Sequence, residues 1–193
     1  MTRKMIITLM VMILWTTAAQ AAELGISFND FSAQVAFSSE VGSYDSGRSI
    51  FGVRGLYNDD EDTEMVSASF DVLGPIANTG LEIGAGVNLY YLGTSAAGSS
   101  VTDDVAAAGI GAIVRFTPPG LEKLSFSGRV YYCPDVFTDL DGEKVLETRL
   151  KAAFEIAPQA EVFAYYNKVE VDIENKGSRT IDDTVRVGLS LSF

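Results

Sequence analysis

The stretch TVRVGLSLSF, residues 184–193, puts Val185, Val187, Leu189, Leu191 and Phe193 on one face of a strand and Thr184, Arg186, Gly188, Ser190 and Ser192 on the other, because side chains alternate faces along extended backbone. The apolar face is unbroken to the last residue. Such alternation suits a half-buried strand of a soluble sandwich as well as a barrel strand with one face in lipid, so the rest of the chain decides.

The opposite end reads MTRKMIITLMVMILWTTAAQAAE. Arg3 and Lys4 precede an apolar run from Met5 to Trp15, and Ala19-Gln20-Ala21 supplies a small-x-small cleavage site, so residues 1–21 are expected to be a secretory signal peptide. The run falls short of the roughly 20 residues a membrane helix needs. No cysteine follows the cleavage site, which argues against a lipoprotein anchor. Cleavage would leave residues 22–193 as one domain and move the formal net charge from −12 to −14, since two cations and no acids are lost.

That charge argues against nucleic acid as a partner, which would require clusters of Lys and Arg. One cysteine, Cys133, cannot form an internal disulfide framework. Histidine is absent, which removes the commonest general base and metal ligand. Serine-lysine chemistry has no recognisable motif, so neither an enzyme nor a cofactor is expected.

Period-two segments fill the remainder. SIFGVRGLY sets Phe51, Val53 and Tyr57 against Arg54 and Leu56; EMVSASFDV sets Val66, Phe70 and Val72 against Asp71; LEIGAGVNLYY sets Ile83, Val87 and Leu89 against Glu82 and Asn88. FSAQVAFS, AAAGIGAIVRF, LSFSGRVYY, KVLETRLKAAFEI, EVFAYYNKVEV and the final stretch bring the count to nine. A closed exported barrel should have an even number. The tenth strand is expected in ELGISF, Glu23 to Phe28, turned by Asn29-Asp30, whose residue types tolerate left-handed geometry. Eight is the alternative, if the N-terminal hairpin lies outside the wall.

Counting back from Phe193 places residues 58–64, 93–104, 133–143 and 172–183 outside the cell, and LGPIANTG, TPPGLEK and APQ in the periplasm. The outer set is generally longer, as barrel asymmetry leads one to expect, and holds most of the acidic residues. Residues 39–48 are long for a periplasmic turn. A mean hydropathy of +0.18 despite such acidic connections favours lipid contact over a soluble sandwich.

The expected fold is therefore all-β: a closed antiparallel transmembrane β-barrel. Its inward positions collect Arg54, Asp71, Glu82, Arg115, Arg129, Glu147, Arg149, Lys151, Glu155, Lys168, Glu170 and Arg186, a mixed set of lumen-lining candidates able to pair or to edge a pore. Asp59, Asp60, Glu61, Asp62 and Glu64 crowd one hairpin tip and are weak candidates for divalent cations, although they lack the ligand order and glycine of a calcium loop. Phe193 is the expected assembly signal.

Four features, in this order, give the chain its family likeness: Asp59-Asp60 after an aromatic strand, Gly74-Pro75, Tyr131-Tyr132 with Pro134-Asp135, and the closing Ser190-Leu191-Ser192-Phe193. In these the sequence resembles the YfaZ family of predicted Gram-negative outer-membrane proteins. Cys133 departs from the small polar residue expected there. The resemblance implies a porin-like outer-membrane barrel with no established substrate.

Three functional readings stand at this point. One is a narrow passive channel for ions or small solutes. A second is a structural or surface-interaction barrel with a charge-plugged lumen, its acidic loops meeting divalent cations and lipopolysaccharide. The third, a lipid-modifying enzyme, is disfavoured by the missing histidine. The expected partners are outer-membrane lipid, lipopolysaccharide and the barrel-assembly machinery, with the protein a monomer.

Overall fold

A computed structural model describes residues 21–44, 46–95, 102–140, 142–173 and 177–193. The expected signal peptide, apart from Ala21, lies outside these residues. Among them the chain is all strand and turn apart from one short 3-10 turn. The strands are β1 (Ala22–Phe28), β2 (Ser32–Tyr44), β3 (Gly47–Asn58), β4 (Thr63–Ile76), β5 (Leu81–Ser95) and β6 (Thr102–Phe116), then β7 (Leu124–Cys133), β8 (Thr138–Leu140), β9 (Gly142–Ala157), β10 (Ala160–Ile173) and β11 (Gly177–Ser192).

Ten of these form a closed antiparallel barrel, and β8 is extra. ELGISF belongs to the wall, because β1 closes the ring against β11 with Glu23 opposite Ser192 and Phe28 opposite Val187. Ala22 and Phe193 exchange backbone N–H to carbonyl bonds of 2.9 Å in both directions. No strand of the ring is left as an unpaired edge, which is what a hydrocarbon environment demands. Across the ring, apolar side chains such as Val66, Phe70, Ile83, Val87, Ile110, Leu150, Val187 and Leu189 point outward and are exposed. A continuous apolar band of this kind is a lipid-facing surface.

Two expectations about connections change. Residues 39–48 are not a long turn, since β2 and β3 stay paired down to Tyr44 opposite Gly47, with a bulge between Glu40 and Gly42. The β1–β2 turn does not use left-handed backbone at Asn29 or Asp30. Instead the Asn29 carboxamide oxygen accepts from the Phe31 and Ser32 backbone N–H groups, at 3.0 and 2.7 Å, and from the Ser32 hydroxyl at 2.6 Å. The side chain stands in for a turn of backbone.

The ring has a lower end, where β1 starts and β11 finishes, and an upper end. Strands of 15 and 16 residues, such as β5, β9 and β11, exceed the ~10 that cross a bilayer. The surplus projects at the upper end, so part of what reads as outer loop is paired strand: β10 and β11 stay in register up to Ile173 opposite Gly177. The acidic tip shrinks to the turn Asp59–Asp62. The segment after Cys133 makes the 3-10 turn Asp135–Phe137 and then lays β8 on β6, with Thr138 opposite Ala107 and Leu140 opposite Val105. Residues 96–101, 141 and 174–176 of the expected outer connections lie outside the described residues.

Candidate functional site in the barrel lumen

In the upper part of the wall the usual barrel polarity is reversed. Along β10 the inward residues Val169, Val171 and Ile173 are buried, while Lys168, Glu170 and Asp172 face out. With Leu56, Met65, Leu92, Val105, Cys133, Val145 and Ile181 they form one apolar cluster across the lumen. Most of these side chains are under 2% exposed. A bulge in β11 opposite Val169/Glu170 helps, because it lets the consecutive residues Ile181 and Asp182 both turn inward.

Against this cluster lie three buried charged groups. Glu147, 1% exposed, accepts at Oε1 from Arg54 Nη1 and from Arg149 Nη2, both at 2.6 Å, while the Tyr90 hydroxyl donates to its Oε2 at 2.6 Å. Arg54 Nε also donates to the Ser67 hydroxyl at 3.1 Å. A second group centres on Asp182, which receives both terminal nitrogens of Arg186 at 2.7 and 2.6 Å. The Asn58, Asn167 and Thr184 side chains also donate to it. Arg186 Nε donates to the Ser32 hydroxyl at 2.7 Å. A third centres on Asp71, fully buried, which accepts from the Tyr131 hydroxyl and from Arg129 Nη1 at 3.2 Å. Charges taken this far from water persist because each is paired and hydrogen-bonded.

Beneath these groups the lumen is hollow. A cavity of about 150 Å³ reaches up to Arg54, Asn88 and Tyr165. Glu23, Ser38, Ser127, Arg129 and Lys151 line both it and a second cavity of about 100 Å³. Glu23, Ser38, Arg48, Ile50, Arg115 and Glu161 carry the path on into a space of about 290 Å³ at the lower mouth, edged by Ala21, Pro158 and Ser192. These spaces share lining residues and together run from the buried arginines to the lower mouth.

Of the twelve lumen candidates, Arg54, Asp71, Glu147 and Arg186 belong to the buried charged groups, and Arg129, Arg149 and Lys151 line the hollow. Arg115 and Glu155 stand at the lower mouth, and Glu82 pairs with Arg48 at 2.7 Å. Lys168 and Glu170 are a correction: they pair with each other at 3.0 Å on the outer face, each 37% exposed. The cause is that both faces of β10 carry aromatics. Phe163 and Tyr165 fill the lumen while Tyr166 faces out, so the bulkiest residues do not mark the lipid side.

Several participants escaped sequence reading. Asp182 looked like outer loop, since a bulge cannot be read from alternation. Arg48 fell within the supposed long turn. Glu161 sits two positions before Phe163 on the inward face and pairs with Lys151; the parity of Asn167, inward and buried, was the available signal. The acidic candidates Asp59, Asp60, Glu61 and Asp62 occupy the upper turn, with Glu64 just after it on β4. Tyr57 donates to Asp59 at 3.0 Å. Among the described residues no three acidic side chains converge as a metal site would require.

A family model described as YfaZ precursor matches residues 1–193. No curated protein matches the chain. Among solved structures, the KdgM porin is 12% identical, with 90% of this chain and 99% of that chain covered and a TM-score of 0.41. The NanC porin is 9% identical, with 91% and 100% covered and a TM-score of 0.41. The translocator domain of the autotransporter NalP from Neisseria meningitidis is 11% identical, with 99% and 95% covered and a TM-score of 0.37.

Proposed function

The chain belongs to the YfaZ family and folds as an outer-membrane β-barrel, and from that premise we propose that it is a non-catalytic barrel sealed toward the outside, with a blind chamber open to the periplasm. Residues 1–21 direct export from a Gram-negative cytoplasm and are removed. The lower end, where Ala22 and Phe193 meet, faces the periplasm, and the acidic turn Asp59–Asp62 faces out.

The observation that carries this reading is the apolar cluster from Leu56 to Ile181. An ion crossing it would give up its water for no compensating partner, at a cost of several kcal/mol or more. The paired layers beneath add a second barrier, because the Arg54, Arg129, Arg149 and Arg186 guanidiniums are each engaged by a buried carboxylate. This favours the plugged barrel over the open channel.

Conductance in planar bilayers tests it. The purified barrel should insert without steady current steps, whereas Met65→Ala, Leu92→Ala and Val169→Ala combined should produce them. Stable conductance from the parent protein at low voltage would overturn the seal.

A further inference from the structure

We propose that the blind end of the chamber is a binding subsite for a small hydroxylated carboxylate, a hydroxy acid of about three or four carbons, entering from the lower mouth. The proposal rests on the reading of the chamber as open at that end only.

Size comes first. A cavity of about 150 Å³ holds the equivalent of about five water molecules, which admits a short carbon chain and excludes an oligomer. Charge comes next. Arg54, Arg129, Arg149 and Lys151 line the cavity, and among the described residues Glu23 is the only carboxylate that does so. The carboxylates that hold the arginines, Glu147 and Asp71, are 1% and 0% exposed and are not part of the lining. The charged groups facing the cavity are therefore mostly N–H donors, with Glu23 as the exception among the described residues.

The pairing is also uneven. Arg54 and Arg149 both bond the same oxygen of Glu147, so this triad holds one more positive than negative charge at a site shielded from bulk water. Lys151 differs, since Glu161 and, at 3.5 Å, Glu23 outnumber it, so the lower side of the cavity carries one more negative than positive charge and the positive excess is confined to the buried end at Arg54 and Arg149. An uncompensated charge in such a place favours an anion. Arg149, with its side chain 20% exposed, is the group an anion can reach.

The hydroxyl requirement comes from two orphan acceptors. Gln34 Oε1 and Asn88 Oδ1 accept from no protein donor among the described residues, although their residues are only 6% and 3% exposed and both line this cavity. Asn88 Nδ2 is turned to Glu147 Oε2 at 3.5 Å, which leaves its oxygen for the cavity. Buried acceptors without donors are costly. Hydroxyl groups would satisfy them, while a bare halide or an unsubstituted carboxylate would not. The Phe163 ring, with Lys151 Nζ 4.4 Å from its centroid, gives the carbon skeleton an apolar wall.

Calorimetric titration of the refolded full-length barrel in detergent, with D-glycerate as probe, tests the subsite. Glycerate should bind, and propionate, which lacks the hydroxyls, should bind about tenfold more weakly or less, a gap of about 1.4 kcal/mol. Glycerol, which lacks the charge, should give no heat. Arg149→Gln should abolish glycerate binding. Gln34→Leu should erase the preference of glycerate over propionate while retaining carboxylate binding. Both variants are judged only after their barrels show the parent's heat-dependent gel shift; should Arg149→Gln fail that check, Gln34→Leu decides. No glycerate heat from a non-conducting parent overturns the subsite and leaves the seal standing. Glycerate binding by a parent that conducts overturns the seal and leaves the subsite standing. Equal binding of glycerate and propionate, or full binding by the variants, overturns the assignment of these residues.

Discussion

Glu61 shows how the acidic turn is balanced. Partial burial pushes its carboxyl above the usual range, and the nearby Asp60, Asp182 and Asp183 push it the same way. A carboxyl whose affinity for protons rises on folding costs stability when ionised; the cost is present above the folded pKa and disappears below the unfolded one. Glu61→Gln should therefore raise the melting temperature modestly at pH 7, and the gain over the parent should vanish as the pH falls below about 4. Thermal melts across that range would check it. A variant no more stable than the parent at pH 7, or one whose advantage grows in acid, would show that the turn is simply solvated.

Neighbouring strands are matched by what their glycines leave room for. Gly111 on β6 faces Tyr131 on β7, and a Cβ there would lie 2.4 Å from both the Tyr131 ring and the Val130 carbonyl oxygen. Gly86 on β5 stands the same way against the Asp71 carboxylate, at 2.1 Å. These two positions make space for the Tyr131–Asp71 hydrogen bond, a more specific role than easing curvature. Gly111→Ala should cost about 1–3 kcal/mol in urea unfolding, as overpacking does when the obstacle includes backbone. Gly55→Ala, which meets nothing within 4 Å, should be close to neutral. Equal effects of the two substitutions would place the cost in backbone propensity instead.

At the scale of the whole molecule, closure links stability to the membrane. Each strand of the ring has a neighbour on both sides, so opening it exposes a row of unpaired backbone groups, each expensive in hydrocarbon. The protein should fractionate with the outer membrane and run faster on SDS gels before boiling than after. Recovery in soluble periplasm without a heat-dependent shift would contradict the barrel's placement. Deleting Phe193 should lower the yield of assembled barrel more than Phe126→Ala does. Both residues face outward, but Phe193 also pairs with Ala22 across the seam.

What the sequence by itself determined was local: ten wall segments and the outward faces of most of them. Alternation and turn chemistry act over a few residues, so they survive being read one segment at a time. Tertiary structure decided the rest. Arg54 meets Glu147 from 93 positions away, and only the curvature of a closed ring brings β3 and β9 face to face across the lumen. The side of Lys168 and Glu170, the inward turn of Asp182 at a bulge, and the apolar cluster across the lumen have the same origin. Where the wall rises past the lipid band, water lies outside and the lumen becomes the dry side, so burial follows the solvent and the meaning of each face is reversed.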